Sequence, residues 1–242
     1  MARQLSHNAW DRFLRGVKTE EERLGKPNLL WYRGVGDQAY RLLPSLLRSP
    51  VGFEKEPALF AKYRQLADRV MGSRENDWQY LFDMQHHHLP TRLLDWTEVL
   101  GVAVFFALLG DPRLDGAVYV LDPIRLNKRS GKADLSMAAK DSEFQYRAVY
   151  WENRPVKPIL PIAVEPTYQS TRIHAQRARF TIHGNDPKPV EEMAPDCVGK
   201  VPLGKDAREA AQEFLQMAGI DEFSVFPDVV GMAPFIKRIV GI

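Results

Sequence analysis

One cysteine in 242 residues, Cys197, is too few for a disulfide within the chain or for a cysteine-only metal cage, and it points to a reducing cytosol. Long apolar runs are missing too. The longest, Val99 to Leu109, falls well short of the roughly 20 residues that span a bilayer, so no membrane partner is expected. The opening MARQLSHNAWDRFLRG is polar and has no hydrophobic signal region, which strengthens the cytoplasmic expectation. An excess of one charge is absent: 33 Lys and Arg against 31 Asp and Glu leave +2, so any basic surface must be local. The sequence contains no GxSxG elbow, Walker loop, dinucleotide GxGxxG or kinase signature, and no internal repeat or low-complexity tract.

With 45% apolar residues, the chain is long enough to bury one sizeable core, and a single domain over 1–242 is the expectation. Trp10, Phe13, Leu14 and Val17 recur at helical spacing, in a helix that ends in the charged run KTEEERLGKPN. LLWYRG reads as a short buried strand closed by a turn at Gly34 and Gly36. Phe53 to His86 reads as two helices broken near Gly72 and Ser73. Pro90 biases the chain toward an extended TRLLDW, after which Thr97 is a candidate N-cap. The helix from Glu98 to Leu109 is apolar all round and belongs in the middle of the molecule.

Downstream, GAVYVL is a second strand, 124–142 a surface loop or exposed helix, and PILPIAVEP an edge strand. STRIHAQRARFTIHG reads as a half-buried strand with Ala178, Phe180 and Ile182 facing inward. Lys205 to Met217 makes an amphipathic helix, and Ser224 to Phe226 a last short strand. Short strands among helices of uneven length predict an α+β class: one mixed domain with a central or split sheet around a buried helix.

Three consecutive histidines, His86, His87 and His88, suggest a metal site, but neighbouring side chains diverge and no second ligand pair stands at helical spacing. No metal is expected. In TRLLDW, Arg92 and Asp95 are charges among residues that must be buried, so they pair with each other, with caps or with carbonyls. The alternative puts Thr91, Arg92 and Asp95 along a cleft, with a polar ligand between Trp96 and His86. Arg33 offers a guanidinium fork that suits phosphate, and Gly34 and Gly36 let backbone approach a ligand. Arg172, Arg177, Arg179 and Lys188 form either a phosphate-receiving strip or a solvated strand face.

WYRGVGDQAYRLLPSLLR, QHHHLPTRLLDWTEVLGVAVFFAL, TRIHAQRARFTIHG and EFSVFPDVVGMAPFI together resemble the FRG domain family, from Asn28 to Ile236, with 1–27 as a helical extension. The family pattern is QHYGLPTRLLDWT, so His87 stands where Tyr is usual and His88 where Gly is usual; Gln85 and His86 match. The resemblance implies a phage-related or defence setting. More weakly, the aromatic-Arg-Gly opening is similar to the first motif of arginine-type ADP-ribosyltransferases, whose arginine holds the phosphates of NAD. That similarity implies NAD as cofactor or substrate, a catalytic set of Arg33, His86, Thr91, Arg92 and Asp95, and ligand contacts from Tyr32, Gly34, Gln85, Trp96, Arg172 and Gln176. It departs at the third motif: HAQRARFTIHG carries Gln176 and no acid, which leaves Glu143, Glu222 and Asp228 as open choices. The leading expectation is a nucleotide-binding or nucleic-acid phosphate-binding domain, ADP-ribosyltransferase-like or NAD-glycohydrolase-like. The rival is a non-enzymatic protein- or RNA-binding module whose Arg and Asp residues fix the fold.

Overall fold

Trp10, Phe13 and Val17 line the buried side of the first helix, α1 (Ala2–Arg23), which runs into the charged segment and ends before Gly25, at φ 86°. The computed structural model describes residues 2–131, 136–137, 146–151, 160–166 and 170–241. Among these, seven strands make one sheet: β1 (Trp31–Val35), β2 (Leu93–Thr97), β3 (Gly116–Leu121), β4 (Ser136–Met137), β5 (Ile162–Glu165), β6 (Ala178–Ile182) and β7 (Val198–Leu203). Their order is β4-β5-β6-β2-β1-β3-β7. Every pair is antiparallel except β4 with β5.

Helices cover the sheet. After a 3-10 turn at Ser45–Arg48 come α2 (Gly52–Met71) and α3 (Asp77–His86), broken by Gly72 as its φ of 77° requires. The apolar run forms α4 (Leu100–Leu108). The rest are α5 (Pro123–Arg129), α6 (Tyr146–Tyr150), α7 (Thr171–Ala175), α8 (Val190–Met193), α9 (Arg208–Met217, after a 3-10 turn at Lys205–Ala207), α10 (Glu222–Val225) and α11 (Val229–Val240). The architecture is α+β, and no helix among the described residues is long and apolar enough to cross a membrane.

Strand alternation sorts the core. Gly34, Val118 and Val120 share a face with Leu93, Asp95, Phe180 and Ile182, because Tyr32 pairs with Thr97, Asp95 with Phe180 and Gly34 with Val118. Over this face α1, α4 and α9 pack on β3 and β7, while α2, α3 and α6 pack on β2, β5 and β6. The opposite face buries Trp31, Leu94, Trp96, Tyr119 and Leu121 with Leu42, Leu126 and Cys197. Two helix groups on one face leave a gap between them, above β2.

Several expectations are corrected. Thr97 does not cap α4: it ends β2, Val99 takes the cap position, and the Thr97 hydroxyl accepts from Val99 N at 3.0 Å while donating to Gln176 O at 2.7 Å. Residues 123–129 are not an exposed segment, since α5 is capped by Asp122 and buries Leu126 and Asn127. PILPIAVEP is not the edge, because β4 pairs outside β5. STRIHA folds as α7, and β6 is buried along both faces because both sides of the sheet are covered. Ser224 to Phe226 is no strand: Asp221 and Ser224 form a capping box that starts α10.

Candidate functional site

A cleft of about 400 Å³ opens where the helix groups part. β1 and β2 meet at a single register pair, Tyr32 with Thr97, and then diverge, so the cleft draws residues from both faces of the sheet. Arg33 bridges the divergence: its Nη1 donates to the Asp95 carbonyl at 2.6 Å and lies 3.6 Å from Asp95 Oδ2. The guanidinium thus takes the place of a missing ladder bond. Burial, partly offset by the charge of Asp95, holds Arg33 below its ordinary value.

The Asp95 side chain is 51% exposed although it rises from the middle of the sheet, because neither helix group covers it. Gln85, on the last turn of α3, donates from Nε2 to Asp95 Oδ2 at 2.8 Å. Thr91 fixes that amide: its hydroxyl donates to Gln85 Oε1 and accepts from Leu93 N at 3.0 Å. With its oxygen engaged, Gln85 presents its NH₂ to the carboxylate. Thr91, only 1% exposed, therefore acts behind the cleft and not in it.

Arg172, from α7, faces the same space with its guanidinium 4.5 Å from the centre of the Phe226 ring. Among the described residues it makes no ion pair or hydrogen bond. Burial holds it below its ordinary value, with the carboxylates Asp228 and Asp95 acting the other way. His86 is also shifted down, first by burial and then by Arg172. Ser45, Arg48, His88 and Phe106 complete the polar and aromatic lining. Sequence reasoning placed none of these four in the expected site set, although Ser45 and Arg48 fall inside the quoted PSLLR segment and His88 and Phe106 inside the quoted QHHHLPTRLLDWTEVLGVAVFFAL segment.

Of the residues expected in the site, Tyr32, Arg33, Gly34, Gln85, His86, Asp95, Trp96, Arg172 and Gln176 line this cleft, whereas Thr91 and Arg92 do not. Arg92 does not pair with Asp95. It is buried with Glu56, Nη2 to Oε2 at 2.6 Å, and it also donates to Gly184 O at 3.0 Å and Asn185 Oδ1 at 2.7 Å. Tyr146 donates its hydroxyl to the same glutamate. This pair is architectural, in line with the reading of TRLLDW as a fold-fixing segment.

The indole of Trp96 lies on the far face, donating to Thr181 Oγ1 at 3.1 Å, and cannot stack on a ligand. The Tyr32 phenol is turned toward Glu21, to which it donates at 2.9 Å. Gln176 caps α7 instead of standing on a strand, and its amide donates to Val225 O at 3.1 Å. Gly34 and Gly36 admit the backbone of α4 and of the residue just past its end, and not a ligand: a Cβ on Gly34 would lie 1.8 Å from Ala103 O, and one on Gly36 2.5 Å from Gly110 Cα. The basic strip dissolves, since Arg179 is buried against Glu98 at 2.8 Å and Lys188 pairs with Asp186 at 3.6 Å.

Among the open acids, Glu222 pairs with Arg238 at 3.0 Å and Asp228 accepts from Val230 N at 2.8 Å; Glu143 lies outside the described residues. Neither Glu222 nor Asp228 lines the cleft, where the carboxylate is Asp95. No three His, Cys, Asp or Glu side chains among the described residues are grouped to hold a metal ion.

No curated protein and no solved structure matches the chain. The model of the FRG domain family matches residues 28–115, beginning where the sequence resemblance began and ending before β3. That stretch supplies Arg33, Arg48, Gln85, His86, His88 and Asp95, while Arg172 and Gln176 come from beyond it. Residues 28–115 of the protein thus match the FRG domain, and most of the charged groups of the cleft fall within that stretch.

Proposed function

We propose that the cleft binds a phosphorylated nucleotide of the NAD or ADP-ribose class. The observation that carries this reading is Arg172, a half-buried guanidinium that makes no hydrogen bond or ion pair among the described residues and lines the cleft together with Arg33 and the half-exposed carboxylate of Asp95. Asp228 and Asp95 act on it only through their charge, and a guanidinium half withdrawn from water without a hydrogen-bonded anion is costly; a phosphate would satisfy it with charge-assisted hydrogen bonds. Phe82, Phe106 and Phe180 supply apolar surface for a base, and about 400 Å³ is within the usual range for a small-molecule site.

In the catalytic form of this reading, Arg33 and Arg172 hold phosphate, and Asp95 faces the ribose. Breaking the glycosidic C–N bond sends its electron pair to the departing nicotinamide and leaves positive charge on the sugar, which a carboxylate stabilises. Water or an acceptor hydroxyl then bonds to the anomeric carbon, and its proton passes to Asp95. Gln85 and Thr91 keep that carboxylate aimed. A role in phage defence is part of the same proposal and rests on the family resemblance alone.

Calorimetric titration of NAD and ADP-ribose into the wild type, Arg172→Ala and Arg33→Ala, with nicotinamide release followed on the same samples, tests the reading. Affinity should fall about tenfold or more in each variant, the scale of a lost hydrogen bond to a charged group. Equal binding by Arg172→Ala, or no binding by the wild type, would remove the reading. The non-enzymatic alternative predicts the second of these results.

A further inference from the structure

Many helices end on a residue with positive φ, and this protein places glycine there after α1, α2, α9 and α11, through Gly25, Gly72, Gly219 and Gly241 at φ 86°, 77°, 66° and 81°. At the end of α9, Ile220 N closes the turn on Leu215 O at 2.9 Å, with Gly219 in the left-handed place. The end of α3 repeats this turn: Leu89 N donates to Met84 O at 3.0 Å, and the left-handed place is held by His88 at φ 60°. A Cβ in that conformation is strained, and nothing in the turn itself requires one.

The side chain gained by that strain points to its use. His88 lines the cleft, and among the described residues its imidazole makes no hydrogen bond, ion pair or ring contact. Lys26, at φ 51° after Gly25, and Arg177, at φ 43° after α7, do not line the cleft; of the three exposed residues with such a backbone among the described ones, His88 is the one tied to the site. Strained positions persist where the surroundings hold them and cluster at ligand sites.

We propose that His88 is a ligand-contacting residue of the cleft, its ring N–H donating to a phosphate oxygen of the bound nucleotide. The inference rests on the nucleotide reading above and adds a contact that distinguishes this chain from one with glycine at the same turn. It also accounts for the histidine triplet: His86 lines the cleft, His87 caps α3, and His88 carries the second imidazole into the site.

The test is titration of ADP-ribose into wild type, His88→Gly and His88→Asn, with the melting temperature of each. His88→Gly relieves the backbone and should melt about 2–4 °C higher, yet bind about tenfold more weakly. His88→Asn, which tolerates the left-handed backbone and keeps a shorter donor, should fall between the two in affinity. Unchanged affinity in His88→Gly overturns the proposal and leaves the nucleotide reading standing. A fall in melting temperature together with affinity would make His88 structural and overturn it as well. Absence of ADP-ribose binding by the wild type overturns both.

Discussion

Arg92 and Asp95, three residues apart in one hexapeptide, serve opposite ends. Arg92 is 2% exposed and bound on every side, by Glu56, Gly184 and Asn185, with its guanidinium 4.6 Å from the centre of the Phe53 ring. Arg92→Ala should therefore cost about 3–5 kcal/mol in urea unfolding, because it leaves the Glu56 carboxylate buried and unpaired. Joint replacement of both by apolar residues of similar volume should cost much less; an equal loss would show that packing matters here and charge does not. Asp95→Asn, by contrast, should leave the unfolding midpoint within about 0.5 kcal/mol of wild type, as expected for an exposed side chain. The sequence showed that both charges needed explanation. It could not assign their partners, because Glu56 lies on α2, 36 residues upstream of Arg92.

At the scale of elements, the site depends on how closely α4 rests on β1. Gly34 makes that approach possible, and Gly34→Ala should destabilise the protein by about 3 kcal/mol or more, since its Cβ would collide with the Ala103 carbonyl. Gly72→Ala is the comparison: no atom lies within 4 Å of its Cβ, and only its backbone, at φ 77° and ψ 163° in a region kept almost wholly to glycine, opposes it, for about 1–3 kcal/mol. Thermal unfolding of the two variants should rank them in that order. The helices α1, α2, α3 and α9 were legible from apolar spacing near 3.6 residues and β1 and β3 from short apolar runs, whereas β7 and the twelve-residue α11 were not read from the sequence at all. The shortest elements were not legible either. A strand of three residues and a helix of four, such as Ser224 to Phe226 against Glu222–Val225, bear too few apolar positions for a period to show, and the Asp221–Ser224 capping box decides the outcome.

At the scale of the whole molecule, pH acts through a residue far from the cleft chemistry. His183 is fully buried, neither ring nitrogen has a hydrogen-bond partner among the described residues, and burial, with the charge of Arg92 adding to it, pushes it down to about 3. The unfolded chain binds a proton there near pH 6.5, whereas the folded chain resists it until about 3, so the unfolded state takes up more protons between those values. The stabilisation is complete above the unfolded value and declines as pH falls through this window. At pH 5 the loss should be about 2 kcal/mol, read as a falling melting temperature between pH 7 and pH 5. His183→Leu should flatten that limb, and an unchanged slope would assign the acid sensitivity to other groups.

Composition and pattern by themselves determined an α+β chain with a buried helix after TRLLDW and the segments from which a cleft would be built; Arg33, expected at the end of a buried strand, stands in the middle of the partly buried β1. The class, the helix and the segments follow from local propensity and from the burial that apolar spacing demands. Tertiary structure alone decided that Arg92 turns inward to Glu56 while Asp95 stays open, that Trp96 faces away, and that Arg172 arrives from α7 to stand in the cleft with Arg33. Side-chain partners across such distances depend on strand register and on where two helix groups part over one sheet. Both are set by the packing of the whole chain.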